Sequence, residues 1–288
     1  MTEPTETTET IARFGADERL LGIVTLPAQR RADAPACLFM NAGVVHRIGP
    51  HRINVKLARA LAAAGIASIR IDLSGMGDSP PAPGAVHSGE QTVRDLQDAM
   101  THLEATLGIT RFIVFGLCSG AVHAYWLAQR DERVVGVTMF DSYVYPTLKT
   151  HVLRRWRRLR TSSWQSLARK PIEWLRRRPG QEATQSGETS QDQHMAIPTR
   201  PQFAEVMNAM TARGVAVYLY YSASFLEKFN YHGQMRDSFR GQPFMSRIRY
   251  DYEADVDHTV TSLHSQRKVV ASVLDWAQSV AGSSGSST

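Results

Sequence analysis

Six residues constrain this chain more than any others: Gly116-Leu117-Cys118-Ser119-Gly120-Ala121. They follow an apolar run, Phe112 to Phe115, and precede a helix-forming stretch, His123 to Gln129. Strand, tight turn and helix in that order, with glycine two before and two after a central residue, is the spacing of a turn that presents a nucleophile on strained backbone. The residues two before and two after the tip are pressed together and must be small. Centring the turn on Cys118 makes both of them glycine. Centring it on Ser119 makes them Leu117 and Ala121, and the leucine clashes. Cys118 is therefore the candidate nucleophile, and Ser119 offers its backbone N–H to an oxyanion. The bland alternative is a glycine-rich turn around an inert cysteine.

The rest of the composition limits the setting. At 288 residues, with 43% hydrophobic side chains, the chain suits one large domain or one domain with an insertion. Two cysteines, Cys37 and Cys118, make no disulfide framework. Cys37 opens an apolar run and reads as a small core residue. The segment 1–10 lacks a basic region followed by an apolar one, and no apolar run approaches the length of a membrane span, so a cytoplasmic protein is expected. The formal charge of +6 is unevenly placed. Residues 151–180 hold ten basic side chains and one acid, Glu173; this segment carries +9 and the remainder −3.

Periodicity divides the chain into alternating strands and helices. Strands are predicted at 8–14, 20–26, 36–40, 66–71, 112–115, 134–140, 215–221 and 247–252. Helices are predicted at 51–64, 92–107, 120–129, 201–213 and 261–280. An opening hairpin followed by this alternation implies an α/β chain with a mostly parallel sheet and helices on both faces. Four segments follow: an N-terminal core part, 1–141; a basic helical insert with a mobile linker, 142–200; a C-terminal core part, 201–281; and a flexible tail, 282–288. Two helices are predicted within the insert, at 152–160 and 163–178.

These features together resemble the α/β-hydrolase superfamily over nearly the whole chain. Besides the elbow, Asp72 to Ser79 matches the D-x-x-G-x-G-x-S turn common there, and Asp257-His258 before a terminal helix stands where the superfamily keeps its catalytic histidine. The segment 41–52 with Gly-Leu-Cys-Ser-Gly-Ala is similar to a bacterial subgroup with cysteine at the elbow that includes the exosortase-system-associated hydrolases. That subgroup is similar in turn to the serine aminopeptidase-like branch; dienelactone hydrolases are a more distant precedent for a cysteine elbow. The resemblance implies an α/β-hydrolase fold, with the insert as a lid over the elbow.

It also implies a triad. His258 is the expected base, with His264 as a backup inside a predicted helix. A second oxyanion donor is expected from Ala42, Gly43 or Val44, directly after the third strand. The acid is where the chain departs from the superfamily. The stretch after strand 215–221 holds no aspartate; Glu227 is its nearest carboxylate, and Asp141, at the end of the preceding strand, is the rival. The reading leans to Glu227. Arg47 and Arg52 flank the oxyanion loop and are candidates to fork onto a substrate carboxylate or phosphate, or else are solvated residues at a helix start.

Function then has three open readings. The first is a cysteine-dependent hydrolase cleaving an ester or thioester through an acyl-enzyme. The second is an acyltransferase that passes the Cys-bound acyl group to an amine or hydroxyl in a biosynthetic pathway. The third is a non-catalytic binding module on a hydrolase scaffold. The expected substrate is a small-molecule or carrier-bound acyl group. The basic insert suits an acidic carrier protein, CoA or an anionic lipid surface, or is merely a solvated face. No phosphate loop, metal motif or nucleic-acid motif occurs, so neither cofactor, metal nor nucleic acid is expected.

Overall fold

The computed structural model describes residues 6–84, 89–161, 197–222 and 229–282. Its centre is an eight-stranded sheet of order β1-β2-β4-β3-β5-β6-β7-β8. The strands are β1 (Thr8–Phe14), β2 (Leu20–Leu26), β3 (Ala36–Phe39), β4 (Ser68–Asp72), β5 (Phe112–Leu117), β6 (Val134–Phe140), β7 (Ala216–Ser222) and β8 (Arg249–Glu253). Only β1–β2 and β2–β4 pair antiparallel; every other pairing is parallel. Parallel strands need crossovers, and the helices supply them. They are α1 (Ile53–Ala63), α2 (Gly89–Leu107), α3 (Ser119–Arg130), α4 (Leu148–Thr161), α5 (Arg200–Ala212), α6 (Gln234–Ser238) and α7 (Leu263–Gly282).

The helices form a layer on each face. On one side α1 packs on α7; Ile53, Leu57 and Leu61 meet Val269, Val273 and Trp276 over Phe39, Phe115 and Tyr218. On the other, α2, α3 and α5 bring Leu96, Tyr125, Phe203 and Met207 onto Leu38, Val114 and Leu219. Central strands covered on both faces read as continuous apolar runs, which is why Phe112 to Phe115 shows no alternation. Cys37 on β3 is only 1% exposed, inside the first of these cores.

Most predicted elements recur with ends moved by a residue or two. The shift that matters is at β5, which extends past Phe115 because its ladder with β6 continues as Gly116↔Met139 and Leu117↔Phe140. The helix predicted at 152–160 begins earlier, at Leu148. The helix predicted at 163–178, the mobile linker and the tail after Gly282 lie outside the described residues. The short helix α6 had no signal long enough to read. Among the described residues, no helix is long and apolar enough to cross a membrane.

The turn from β5 into α3 shows why the two glycines are needed. Cys118 sits between them at φ 58 and ψ −120, a region that side chains occupy only when the surroundings enforce it. A Cβ on Gly116 would overlap the carbonyl of Gly120. One on Gly120 would lie 3.0 Å from the Asn41 carbonyl oxygen. The Gly116→Ala variant is therefore expected to lose about 1–3 kcal/mol or more of stability through overpacking against backbone, read as a fall in the denaturant midpoint with the slope unchanged.

Candidate active site

Four loops at the carboxyl ends of the parallel strands converge on Cys118. The thiol is partly exposed at the tip of the turn, and its backbone N–H donates to the Phe140 carbonyl at 3.1 Å. The next residue, Asp141, leaves β6 in left-handed conformation at φ 52. Its buried carboxylate receives the Ser222 N–H (2.7 Å) on Oδ1 and the Ser222 hydroxyl (2.6 Å) on Oδ2. Oδ2 also meets His258 Nδ1 at 2.7 Å. Two adjacent residues of one strand end thus fix both the elbow and the imidazole.

His258 lies in the loop between β8 and α7. Asp257 pins that loop by accepting the N–H groups of Thr259 (3.0 Å) and Thr261 (3.1 Å), a local turn that aspartate forms readily. Burial disfavours the imidazolium, but hydrogen bonds to Asp141 and Cys118 outweigh it, and the His258 pKa is pushed up to about 9. With Nδ1 on the carboxylate, Nε2 is the nitrogen left to face the thiol.

The carboxylate on the imidazole is thus Asp141. Glu227, toward which the sequence reading leaned, lies outside the described residues. His264 is a surface residue paired with Asp255 at 2.9 Å. Burial pushes the Cys37 thiol well above the ordinary range.

Of the three oxyanion-loop candidates, one turns its N–H to the elbow. The Asn41 carbonyl faces Gly120, so across a planar trans peptide the Ala42 N–H points away from it. Val44 is 72% exposed. The Gly43 N–H, at φ 55, reaches the elbow and donates to Ser119 Oγ at 2.7 Å. The Ser119 N–H is in the first turn of α3, where no carbonyl stands one turn back to accept it.

The expectation for Arg47 is corrected. Arg47 is not available to a substrate, because its guanidinium is engaged by Asp72 and by Asp78 (2.6 Å for the latter). Asp72, fully buried, also accepts the Arg47 N–H (2.7 Å) and Asn41 Nδ2 (3.0 Å). Asn41 Oδ1 in turn accepts the Leu73 N–H at 2.8 Å. This cluster ties the oxyanion loop to the end of β4. Arg52 is exposed at the N-terminal end of α1.

Sequence reading missed three supports of the site: Asn41, Asp72 as the anchor of the oxyanion loop, and Ser222. Asp72 opens the D-x-x-G-x-G-x-S turn and was legible in hindsight. Ser222 only gains meaning once β7 is seen beside β6.

A family model described as serine aminopeptidase, S33 matches residues 43–215, more than half of the chain. The chain belongs to this family of hydrolases. Solved structures with the same fold include an esterase of Pyrococcus furiosus (TM-score 0.59, 12% identity, covering 96% of this chain and 91% of that one). An esterase domain from Rhodothermus marinus gives TM-score 0.56 and 15% identity over 95% of this chain and 98% of that one. Proline iminopeptidase of Mycobacterium smegmatis gives 0.55 and 16% over 96% and 100%. Comparison with curated protein sequences gives no match. The serine aminopeptidase model fits an α/β-hydrolase whose elbow carries cysteine.

The pairing of His258 with Asp141 sets an expected pH response. The raised imidazolium pKa means that the charged pair stabilises the fold fully below about 6.5 and is lost as pH rises through about 9. Asp141→Asn removes the charge that favours the imidazolium. In that variant, thermal stability is expected to begin falling at lower pH than in the wild type, as measured by melting temperature from pH 6 to 10. Identical profiles would show that the contact does not govern the titration.

Proposed function

We propose that the chain is a cysteine-dependent hydrolase cleaving an ester or thioester through an acyl-enzyme. The observation that carries this reading is Cys118 at the strained tip of the elbow in hydrogen-bond contact with an imidazole oriented by Asp141. Nucleophile, base and orienting carboxylate in that order are the parts such chemistry needs.

In the proposed sequence, His258 Nε2 takes the thiol proton and Cys118 Sγ attacks the acyl carbonyl. The carbonyl π electrons move onto oxygen, which the Ser119 N–H and a second donor beside it stabilise. The tetrahedral adduct collapses, the bond to the alcohol or thiol breaks, and the imidazolium protonates that leaving group. Water, deprotonated by His258, then attacks the Cys118 thioester. The carboxylic acid leaves, and the thiolate regains its imidazolium partner. Asp141 holds the ring throughout.

Sulfur at the elbow also favours a second reading. The intermediate is a thioester, which amines attack readily, so acyl transfer competes with hydrolysis where an acceptor is bound. The basic helix α4 has six Lys or Arg residues and no acid, which supports an acyl donor carried on an anionic group such as CoA or an acidic carrier protein.

Intact-protein mass spectrometry after incubation with acyl esters and acyl thioesters tests the main reading. A single acyl adduct is expected, present in Cys37→Ala and absent in Cys118→Ala. His258→Ala is expected to acylate about 10²–10⁴-fold more slowly, the usual contribution of a positioned base. No adduct with any donor, or an adduct on Cys37, would overturn the reading. Adding amines separates hydrolysis from transfer: an acylated amine formed faster than free acid identifies a transferase.

The role of α4 is tested by salt. Raising ionic strength to about 0.5 M is expected to lower kcat/KM for an acyl-CoA by roughly tenfold while leaving a neutral ester unchanged, as screening removes long-range attraction. Equal responses for both substrates would remove the anionic carrier from the proposal.

A further inference from the structure

The oxyanion site contains a side chain where two backbone amides would be expected to stand alone. The Gly43 N–H, the loop donor that reaches the elbow, ends on Ser119 Oγ at 2.7 Å. That is the separation at which an oxyanion oxygen would sit from the same donor. As the site stands, the Ser119 N–H is the backbone donor at the elbow that remains to be filled, and one donor is short of the two that stabilise a tetrahedral oxyanion.

The serine hydroxyl makes up the difference. It has one proton to donate and two lone pairs. One lone pair is taken by Gly43, and among the described residues no acceptor is recorded for the hydroxyl proton. Ser119 and Gly43 are both partly exposed. A hydroxyl that accepts from an amide is also polarised to donate more strongly.

We propose that Ser119 is a catalytic residue with two donors, its backbone N–H and its side-chain O–H, both directed at the oxyanion, with Gly43 held behind the hydroxyl as its anchor. The proposal rests on the acyl-enzyme reading above. It needs no rearrangement of the site. Its rival is a hydroxyl that plugs the hole at rest and must rotate away before the Gly43 N–H can act.

Three variants and two reactions of one thiol decide it. Acylation by an activated ester builds charge on the carbonyl oxygen; alkylation by iodoacetamide displaces iodide and builds no such oxyanion. Both are followed on Cys118, in Cys37→Ala background, by mass spectrometry. Ser119→Ala is expected to acylate about 10²-fold more slowly, the usual cost of one oxyanion donor, while its alkylation rate stays at the wild-type value. Ser119→Thr keeps the hydroxyl and is expected to recover most of the rate; Ser119→Val, of similar shape, is not. A straight-chain aldehyde, which adds reversibly to the thiol and places its oxygen in the same position, is expected to bind more weakly to Ser119→Ala by a similar factor.

Acylation in Ser119→Ala at or above the wild-type rate would overturn the proposal, a faster rate identifying the plug. Equal losses in acylation and alkylation would also overturn it, by showing that the substitution damages the elbow itself. If the unsubstituted protein forms no acyl-enzyme at all, the underlying reading falls and this inference with it, an outcome distinct from a wild type that acylates beside an equally active Ser119→Ala.

Discussion

The structure depends on one close approach of backbone to backbone, Gly116 against Gly120. Because no side chain separates them, β5 turns directly into α3, and the residue between is forced to φ 58. Strain of that kind persists only where packing over-determines it. Here it is enforced by a ladder that runs to the last residue before the turn, by the Cys118 N–H on Phe140, and by the Asn41 carbonyl lying over Gly120. The thiol is therefore presented by rigid elements, and its direction is set before any substrate arrives.

Around that turn the site is built by two buried carboxylates with different tasks. Asp141 spends one oxygen on the Ser222 N–H and shares the other between the Ser222 hydroxyl and His258. Its position is thus fixed by β7 as well as β6, and the ring inherits that fixity. Asp72 does the same for the oxyanion loop through Asn41 and Arg47. An arginine beside a catalytic loop invites assignment to the substrate; here its fork is already satisfied by carboxylates of the protein, one of them fully buried.

How much of this was legible in the sequence follows from the range over which each feature acts. The elbow is local: its glycines, its strand and its helix lie within about twenty residues, and the steric rule selects Cys118 without a structure. His258 was legible because it stands in a polar loop before a terminal helix. The carboxylate was legible only as a choice between Glu227 and Asp141, because Asp141 and Ser222 are brought together only by the pairing of β6 with β7. Arg47 failed for the same reason, since its partners lie 25 and 31 residues away. The oxyanion loop was located to three residues, but selecting Gly43 needed the orientation of one peptide plane.

The burial of Cys37 has a consequence for how such a site ages. Cys37 pairs with Ile113 across β3 and β5, and Cys118 lies five residues further along, about 16 Å at the usual strand rise. That is far beyond the reach of a disulfide. With only two cysteines in the chain, an oxidised Cys118 has no internal thiol to condense with. Its sulfenic acid is rescued by an external thiol or proceeds to irreversible oxidation. The chain depends on its surroundings, not on its own sequence, to keep the elbow reduced.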